Sequence, residues 1–245
     1  MTANYHSIES FSSVDGPGIR YVLFLQGCNM NCKFCHNVDT ISMGKNKTIT
    51  SDEVVNDFLK YKAFYKRGGI TVSGGEPLLQ IDFIIELFIK LKKLNIHTCI
   101  ETQGSLFKEN DKFKKLIEVT DLFIIDLKGV DNNYSKDICG YNMDSTYKFM
   151  EYLNKINEKF IITYVLLPNM NDDEYCAKTL ALILDEYNNT ASFEILPYHR
   201  LGVEKWEKLN LEYTLKDLKE PSKEDVNIFY DKIKNYMKKE FKKGF

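Results

Sequence analysis

Six short and nearly continuous apolar segments recur along this 245-residue chain, and they limit its possible folds more than any other feature. They are rich in Val, Ile, Leu and Phe, as expected for parallel strands that are buried on both faces of a sheet. The segments are 20–26, 69–73, 97–102, 122–127, 160–167 and 191–196. Helical patterns lie between them, for example "IDFIIELFIKLKKLN", whose apolar residues recur every three to four positions.

This alternation predicts an α/β fold, specifically a partial (β/α)6 barrel of parallel strands with outer helices. Six strands are too few for the closed eight-stranded barrel, so an open or partial barrel fits better. We expect a single domain over residues 1–245, ending in a C-terminal helix at about 222–241. Functional residues of such folds occupy the loops at the carboxyl ends of the strands.

Composition narrows the class of protein. The apolar fraction is 44% and the formal net charge is −2, so the chain is globular and has no overall field that attracts nucleic acid or an anionic membrane. The first residues lack a basic region followed by an apolar core, and no apolar run approaches the roughly 18–20 residues that span a bilayer. We therefore expect a cytoplasmic protein with reduced thiols.

Three of the six cysteines lie in residues 27–37, directly after the first predicted strand. Cys28, Cys32 and Cys35 form a C-x3-C-x2-C pattern. A structural zinc site needs a fourth ligand, such as the adjacent His36. A disulfide leaves one thiol over and is disfavoured in a reducing compartment. A [4Fe–4S] cluster on three thiolates leaves one iron with an open coordination position. The spacing favours the cluster, with zinc as its main rival.

The C-x3-C-x2-C pattern after a first strand resembles that of the radical S-adenosylmethionine enzymes. In that family three cysteines bind a [4Fe–4S] cluster, and S-adenosylmethionine chelates the fourth iron. An electron from the cluster cleaves the sulfonium, and the resulting 5′-deoxyadenosyl radical abstracts a hydrogen atom. The resemblance therefore implies a cluster on Cys28, Cys32 and Cys35, with Phe34, Cys35 and His36 also contributing to the cofactor site near the adenine.

A longer pattern narrows this resemblance. G-x-G-x-R-x3-F-x2-G-C-x3-C-x2-C runs from Gly16 to Cys35 and is similar to the signature of the activating enzymes of glycyl radical enzymes. Among these, the activators of pyruvate formate-lyase are the most similar, because no cysteine-rich insert follows Cys35. The resemblance implies a glycyl radical enzyme as partner, flavodoxin or ferredoxin as electron donor, and a monomer. The alternatives are a different glycyl radical enzyme, a small-molecule substrate, or a zinc-binding module without catalysis.

Two further motifs follow predicted strands. "SGGEP" reads as an ordinary glycine turn when taken alone, and His199 in "LPYHRLG" reads as a structural histidine. By resemblance, Gly75 approaches the methionine amino group of the cofactor, Glu76 is a supporting acceptor, and His199 contacts the ribose.

"DLK" ends the fourth predicted strand. Asp126 and Lys128 are two residues apart on a strand, so their side chains face the same side. Taken alone, the motif indicates a surface ion pair that contributes little to stability. By resemblance, Asp126, Leu127 and Lys128 belong to the cofactor site, where Asp126 holds polar groups and Lys128 the carboxylate.

The chain departs from its relatives at three positions. Glu101 replaces an aspartate that helps to form a monovalent cation site beside the cofactor carboxylate, and Ile124 replaces a methionine of the same site. Thr163 stands where an arginine is usual, so we expect a rearranged contact there.

The remaining cysteines suggest no function. Cys99 and Cys176 lie in apolar patterns and are expected to be buried. Cys139, in "DICGY", is expected to be exposed and without a role.

Overall fold

The computed structural model describes residues 1–44 and 47–239. They form two compact units, and the predicted cluster loop 27–37 divides between them after Asn29. The first unit comprises Met1–Asn29 and Thr40–Ile124, and the second comprises Met30–Asp39 and the residues from Ile125 onward. The prediction of a single domain over the whole chain stays a prediction.

The first unit is built on strands in the order β3-β1-β2-β4-β5, followed by the start of β6. Its strands are β1 (Thr2–Ser12), β2 (Arg20–Leu25), β3 (Lys47–Thr50), β4 (Gly69–Gly74), β5 (Thr98–Thr102) and β6 (Leu122–Asp126), and its helices are α1 (Ser51–Lys60), α2 (Ile81–Lys92) and α3 (Asp111–Glu118). Strands β2, β4 and β5 are parallel, whereas β1 pairs antiparallel with both β2 and β3. Helix α1 begins with the capping box that Thr50 and Glu53 form.

The second unit contains the end of β6 and two further strands in the order β6-β7-β8. Its remaining elements are α4 (Asn132–Cys139), α5 (Asp144–Lys155), β7 (Phe160–Leu166), α6 (Glu174–Glu186), β8 (Thr190–Pro197), α7 (Val203–Lys208) and α8 (Lys223–Tyr236). Strands β7 and β8 are parallel, and Thr163 pairs with Glu194. Tyr164 of β7 packs on Phe229 of α8, with ring centroids 6.1 Å apart. Thr163 therefore faces the opposite side of the sheet, away from α8.

The predicted α/β class is confirmed. All six predicted strands are present, as β2 and β4 to β8, with ends within one or two residues of the expected ones. Strands β1 and β3 were not predicted. Most residues of β1 are half-buried or exposed, so this strand carries no continuous apolar run, and β3 has only four residues.

The C-terminal helix is shorter than predicted. Helix α8 ends at Tyr236, and Met237 is already extended at φ −75° and ψ 142°. The backbone N–H groups of Lys238 and Lys239 donate to the carboxylate of Asp185, over 2.8 and 3.1 Å. This carboxylate satisfies donors that would otherwise continue the helix. Residues 240–241 of the predicted helix lie outside the described residues.

None of the helices formed by residues 1–44 and 47–239 combines the length and the apolar character needed to cross a membrane.

Candidate functional site

Gly75 lies against the first cysteine of the cluster motif. The Gly75 N–H donates to Leu25 O at the end of β2, over 3.1 Å. A Cβ atom at Gly75 would stand 2.1 Å from Gly27 O and 3.0 Å from the Cβ of Cys28. No side chain fits there, because the obstructing atom is backbone. The first unit therefore places the predicted contact Gly75 beside the predicted ligand Cys28.

Glu76 is fully buried and is held by donors of the protein itself. Its carboxylate accepts from Leu78 N over 2.9 Å, from the Thr102 hydroxyl over 2.6 Å, and from Gln103 N over 3.2 Å. A buried carboxylate satisfied by several donors fixes the loops that supply them. Glu76 thus fastens the end of β4 to the end of β5.

Glu101 lies at the end of β5, where it accepts a hydrogen bond of 2.6 Å from the hydroxyl of Ser73 on β4. Ile124, which stands at the predicted methionine position, is buried. The first unit therefore holds Glu101 in a defined orientation at the carboxyl ends of neighbouring strands.

In the second unit, Asp126 and Lys128 form an ion pair. Lys128 Nζ donates to Asp126 Oδ2 over 3.1 Å, and it lies 5.5 Å from the ring centroid of Phe34. Both charged side chains are largely buried, at 20% and 16% exposed, so water screens this pair less than a surface pair. Leu127 between them is buried, and its N–H donates to Thr163 O over 2.9 Å.

Thr163, which stands where an arginine is usual in the family that the sequence resembles, contacts Asp126. Its hydroxyl donates to Asp126 Oδ1, so Thr163 and Lys128 hold the two oxygens of one carboxylate. Thr163 is buried, and β6 and β7 fix its backbone. We infer that Thr163 orients Asp126 as a neutral donor.

Replacing Thr163 with valine is therefore expected to lower the affinity for S-adenosylmethionine about tenfold, because one hydrogen bond to a charged group is lost. Isothermal titration calorimetry on the cluster-loaded protein would measure this affinity. Thr163→Ser keeps the hydroxyl and is expected to bind like the wild type. Equal affinities for the valine and serine variants would contradict the role of Thr163.

His36 and His199 are stacked, with ring centroids 3.7 Å apart and an interplanar angle of 19°. The His36 Nε2–H donates to His199 O over 2.6 Å. The buried Nδ1 atom of His199 has no hydrogen-bond partner within the described part of the chain. Burial lowers the pKa of His36, so its ring is neutral near pH 7.

The lowered pKa of His36 predicts a pH dependence of stability. The unfolded chain takes up a proton near pH 6.5, whereas folded His36 resists it, so the free energy of unfolding is expected to fall as the pH drops below about 6.5. Thermal melts between pH 7.5 and 5 would show a falling melting temperature. The decrease in melting temperature per pH unit is expected to be smaller in His36→Gln. An unchanged decrease would contradict the assignment of this pH dependence to His36. His97, whose pKa is also lowered by burial, remains as a background contribution.

Helix α7 holds the cluster loop of the second unit. The Trp206 indole N–H donates to Cys35 O over 2.9 Å. Lys205 Nζ donates to Asn37 Oδ1 and to Asp39 Oδ1, each over 3.0 Å. Trp206 was not predicted from the sequence. The available signal was that the only tryptophan of the chain lies shortly after His199.

Cys139 is not exposed, as was expected, but completely buried beside the cluster loop. The Asn31 N–H donates to Cys139 O over 3.1 Å. The Cys32 thiol donates to the sulfur of Cys139, which in turn donates to Ser135 O over 2.9 Å, and this arrangement raises the pKa of Cys32 and lowers that of Cys139. The helical packing that places Cys139 here leaves no local signal in the sequence. Cys99 and Cys176 are buried, as predicted.

The residues present fit the cofactors that the sequence pattern implies. Cys28, Cys32 and Cys35 are present as thiols rather than as disulfides, and three thiolates are the ligands that an iron–sulfur cluster with one open position requires. The absence of a side chain at Gly75 lets this backbone approach Gly27 and Cys28 closely, which brings the glycine motif beside the first thiol. The unpartnered Nδ1 of His199 is available to a polar ligand.

Comparison with known proteins supports this fit. Residues 22–178 match the model of the Radical SAM superfamily. The pyruvate formate-lyase-activating enzyme of Staphylococcus epidermidis is 39% identical over 237 residues, which cover 94% of each chain.

Two solved structures share the fold. A domain of the pyruvate formate-lyase-activating enzyme from Bacteroides vulgatus superposes with a TM-score of 0.57 at 22% identity, covering 69% of this chain and 94% of that one. Streptococcus suis SuiB bound to S-adenosylmethionine superposes with a TM-score of 0.65 at 17% identity, covering 86% of this chain and 45% of that one. At these identities the likeness supports the predicted partial-barrel fold alone. Together with the family match, the end-to-end similarity establishes that the chain belongs to the Radical SAM superfamily and, within it, to the family of pyruvate formate-lyase-activating enzymes.

Proposed function

We propose that this enzyme activates pyruvate formate-lyase by removing the α-hydrogen of one glycine in that partner. The observation that carries the proposal is the 39% identity over 94% of both chains to an enzyme with that name. Membership of the Radical SAM superfamily implies a [4Fe–4S] cluster and S-adenosylmethionine. When they are bound, the reduced cluster supplies the electron that cleaves the sulfonium.

Cluster binding is proposed for the three thiols of the motif. Cys28, Cys32 and Cys35 would each bind one iron of the cluster. The pKa of Cys35 is raised by burial, so loading the cluster must displace a proton from this thiol. Trp206 and Lys205 fix the loop that carries Cys35 and thereby orient its sulfur.

The cofactor would be held by separate parts of the chain. The backbone of Gly75 lies beside Cys28, where it would meet the methionine amino group, and Glu76 keeps this loop in place. Lys128 presents a cation to the carboxylate, and the hydrogen bonds of Asp126 and the ring of Phe34 limit its movement. Such preorganised charge orients a ligand without reorganisation at the moment of reaction.

The histidine pair would hold the nucleoside. Nδ1 of His199 is the buried polar atom that a ribose hydroxyl would satisfy, and His36 is stacked on the same ring. A neutral His36 adds no positive charge next to a sulfonium cofactor, which favours binding. We further assign Leu127 and Phe34 to the walls of this site.

A monovalent cation is a further part of the proposal. Glu101 is proposed as an acidic ligand of this cation, because carboxylate oxygens are ligands that hard cations prefer and the hydrogen bond from Ser73 fixes the orientation of this carboxylate. Activity in potassium, sodium and cation-free tetramethylammonium buffers at equal ionic strength would test this assignment.

The electron donor is proposed to be flavodoxin or ferredoxin, and the enzyme is proposed to act as a cytoplasmic monomer. A different glycyl radical enzyme remains the second candidate partner, and a small-molecule substrate the third. Family membership is not compatible with a zinc-binding module without catalysis.

Anaerobic reconstitution would test the function. About four iron and four sulfide per chain are expected, followed by a glycyl radical signal in electron paramagnetic resonance when pyruvate formate-lyase, S-adenosylmethionine and a reductant are added. Cleavage of S-adenosylmethionine with no signal on pyruvate formate-lyase, but with one on another glycyl radical enzyme, would favour the second candidate. Absence of both cleavage and signal in the cluster-loaded protein would overturn the proposal.

A further inference from the structure

A fourth cysteine lies against the cluster loop within the second unit. Cys139 ends helix α4, where its thiol donates to Ser135 O over 2.9 Å and its sulfur lies within hydrogen-bonding reach of the Cys32 thiol. Cys139 is fully buried and Cys32 is 8% exposed. Two thiols in contact are the starting arrangement for a disulfide, provided that their backbones are held together.

The backbones are held on both sides of Cys32. The Asn31 N–H donates to Cys139 O over 3.1 Å, and the Lys33 N–H donates to Ile138 O over 2.9 Å. Lys33 Nζ also forms an ion pair of 2.7 Å with Asp137. Residues 31–33 are thus fastened to the last turn of α4 by three contacts. This attachment keeps the two sulfurs adjacent in the cluster-free chain.

We propose that Cys32 and Cys139 are a redox modification site, at which a low-molecular-weight disulfide oxidises the cluster-free protein to an intrachain disulfide. Cys32, the more exposed of the two thiols, loses its proton, attacks the disulfide and forms a mixed disulfide, and the displaced thiolate takes up a proton and leaves. The Cys139 thiol then displaces the second thiol. Two protein thiols lose two electrons and two protons in total, and one small disulfide becomes two thiols.

The modification would govern cluster loading. Once the sulfur of Cys32 is bonded to Cys139, it can no longer bind iron. This effect on cluster loading rests on the proposed function, in which Cys32 is a cluster ligand. The disulfide itself does not depend on that role. Mapping the bond and measuring iron uptake therefore separate a failure of this inference from a failure of the proposed function.

The test begins with wild-type protein made cluster-free by chelation under anaerobic conditions. The protein is treated with glutathione disulfide, its remaining thiols are alkylated, and the trypsin digest is mapped by mass spectrometry. Cleavage after Lys33 separates Cys32 from Cys35, so the expected product joins peptide 21–33 to peptide 137–148. Fragment ions distinguish Cys32 from Cys28. A Cys32–Cys35 bond as the main product, or Cys139 alkylated throughout, would overturn the inference.

Iron uptake supplies the second measurement. The oxidised wild type is expected to bind several-fold less iron than the reduced protein, and dithiothreitol is expected to restore uptake. Cys139→Ser should keep its iron uptake after the same oxidation, whereas Cys176→Ser, the same change at another buried helical cysteine, should behave like the wild type. Equal losses in Cys139→Ser and wild type would contradict the proposal. The peptide map uses wild-type protein, so it tests the disulfide even if a variant fails to fold.

Discussion

Replacing Cys35 with serine is expected to abolish cluster binding and activity. The hydroxyl of serine is a poorer iron ligand than a thiolate, so the cluster would keep only two strong protein ligands. Protein-bound iron should fall well below about four per chain. Cleavage of S-adenosylmethionine should fall by more than about 100-fold, because losing a ligand costs more than losing one of its hydrogen-bond partners. Iron and sulfide assays with chromatography of the nucleoside product would measure both effects.

The fold should survive this change. Trp206 contacts the backbone oxygen of Cys35 rather than its sulfur, so the loop keeps its attachment to α7. Cys176→Ser is the matched control, because Cys176 is buried in α6 and is assigned no ligand role. Full iron content in Cys35→Ser would show that Cys35 is not a cluster ligand. A loss of iron in Cys176→Ser as well would point to a general effect of cysteine replacement.

Gly75→Ala is expected to have the second large effect, on stability and on cofactor binding together. The new Cβ atom would stand 2.1 Å from Gly27 O, and backbone cannot move aside as a flexible side chain can. The ends of β2 and β4 must then separate, at a cost of about 1–3 kcal/mol in the free energy of unfolding. Affinity for S-adenosylmethionine should fall by about 100-fold, since displacements of about 1 Å have effects of that size. Urea denaturation and calorimetric titration would measure these losses.

Gly44→Ala is the matched control. The nearest atom to a Cβ at Gly44 is the Ser42 hydroxyl at 3.4 Å, which is an ordinary contact. This variant is expected to match the wild type in both measurements. If Gly75→Ala retained wild-type affinity, the backbone at this position would have no role in cofactor binding.

The strands of the parallel sheet were predictable because burial on both faces leaves a nearly continuous apolar run in the sequence. β6 shows this clearly, since the segment predicted as 122–127 is observed as Leu122–Asp126. β1 was missed for the converse reason. It pairs antiparallel beside the parallel strands and leaves most of its residues partly exposed, so polar and apolar residues mix along it.

The candidate site was predictable only where its residues form local motifs. Gly75 follows β4 and Asp126 ends β6, each within a short recognisable segment, and the structure gives each a defined environment. The partners of these residues were not predictable. Nothing in the sequence near Asp126 indicates that Thr163 would donate to its carboxylate, because that contact depends on the pairing of β6 with β7.

By itself, the sequence determined the α/β class, the parallel strands and the three-cysteine motif, because apolar periodicity and ligand spacing are local properties of the chain. Only the tertiary structure decided that the Thr163 hydroxyl would donate to Asp126, and that Cys139 would be buried beside Cys32. These contacts join residues that are far apart in the chain. A single hydroxyl or thiol has no periodicity, and its partner is chosen by how helices and strands pack.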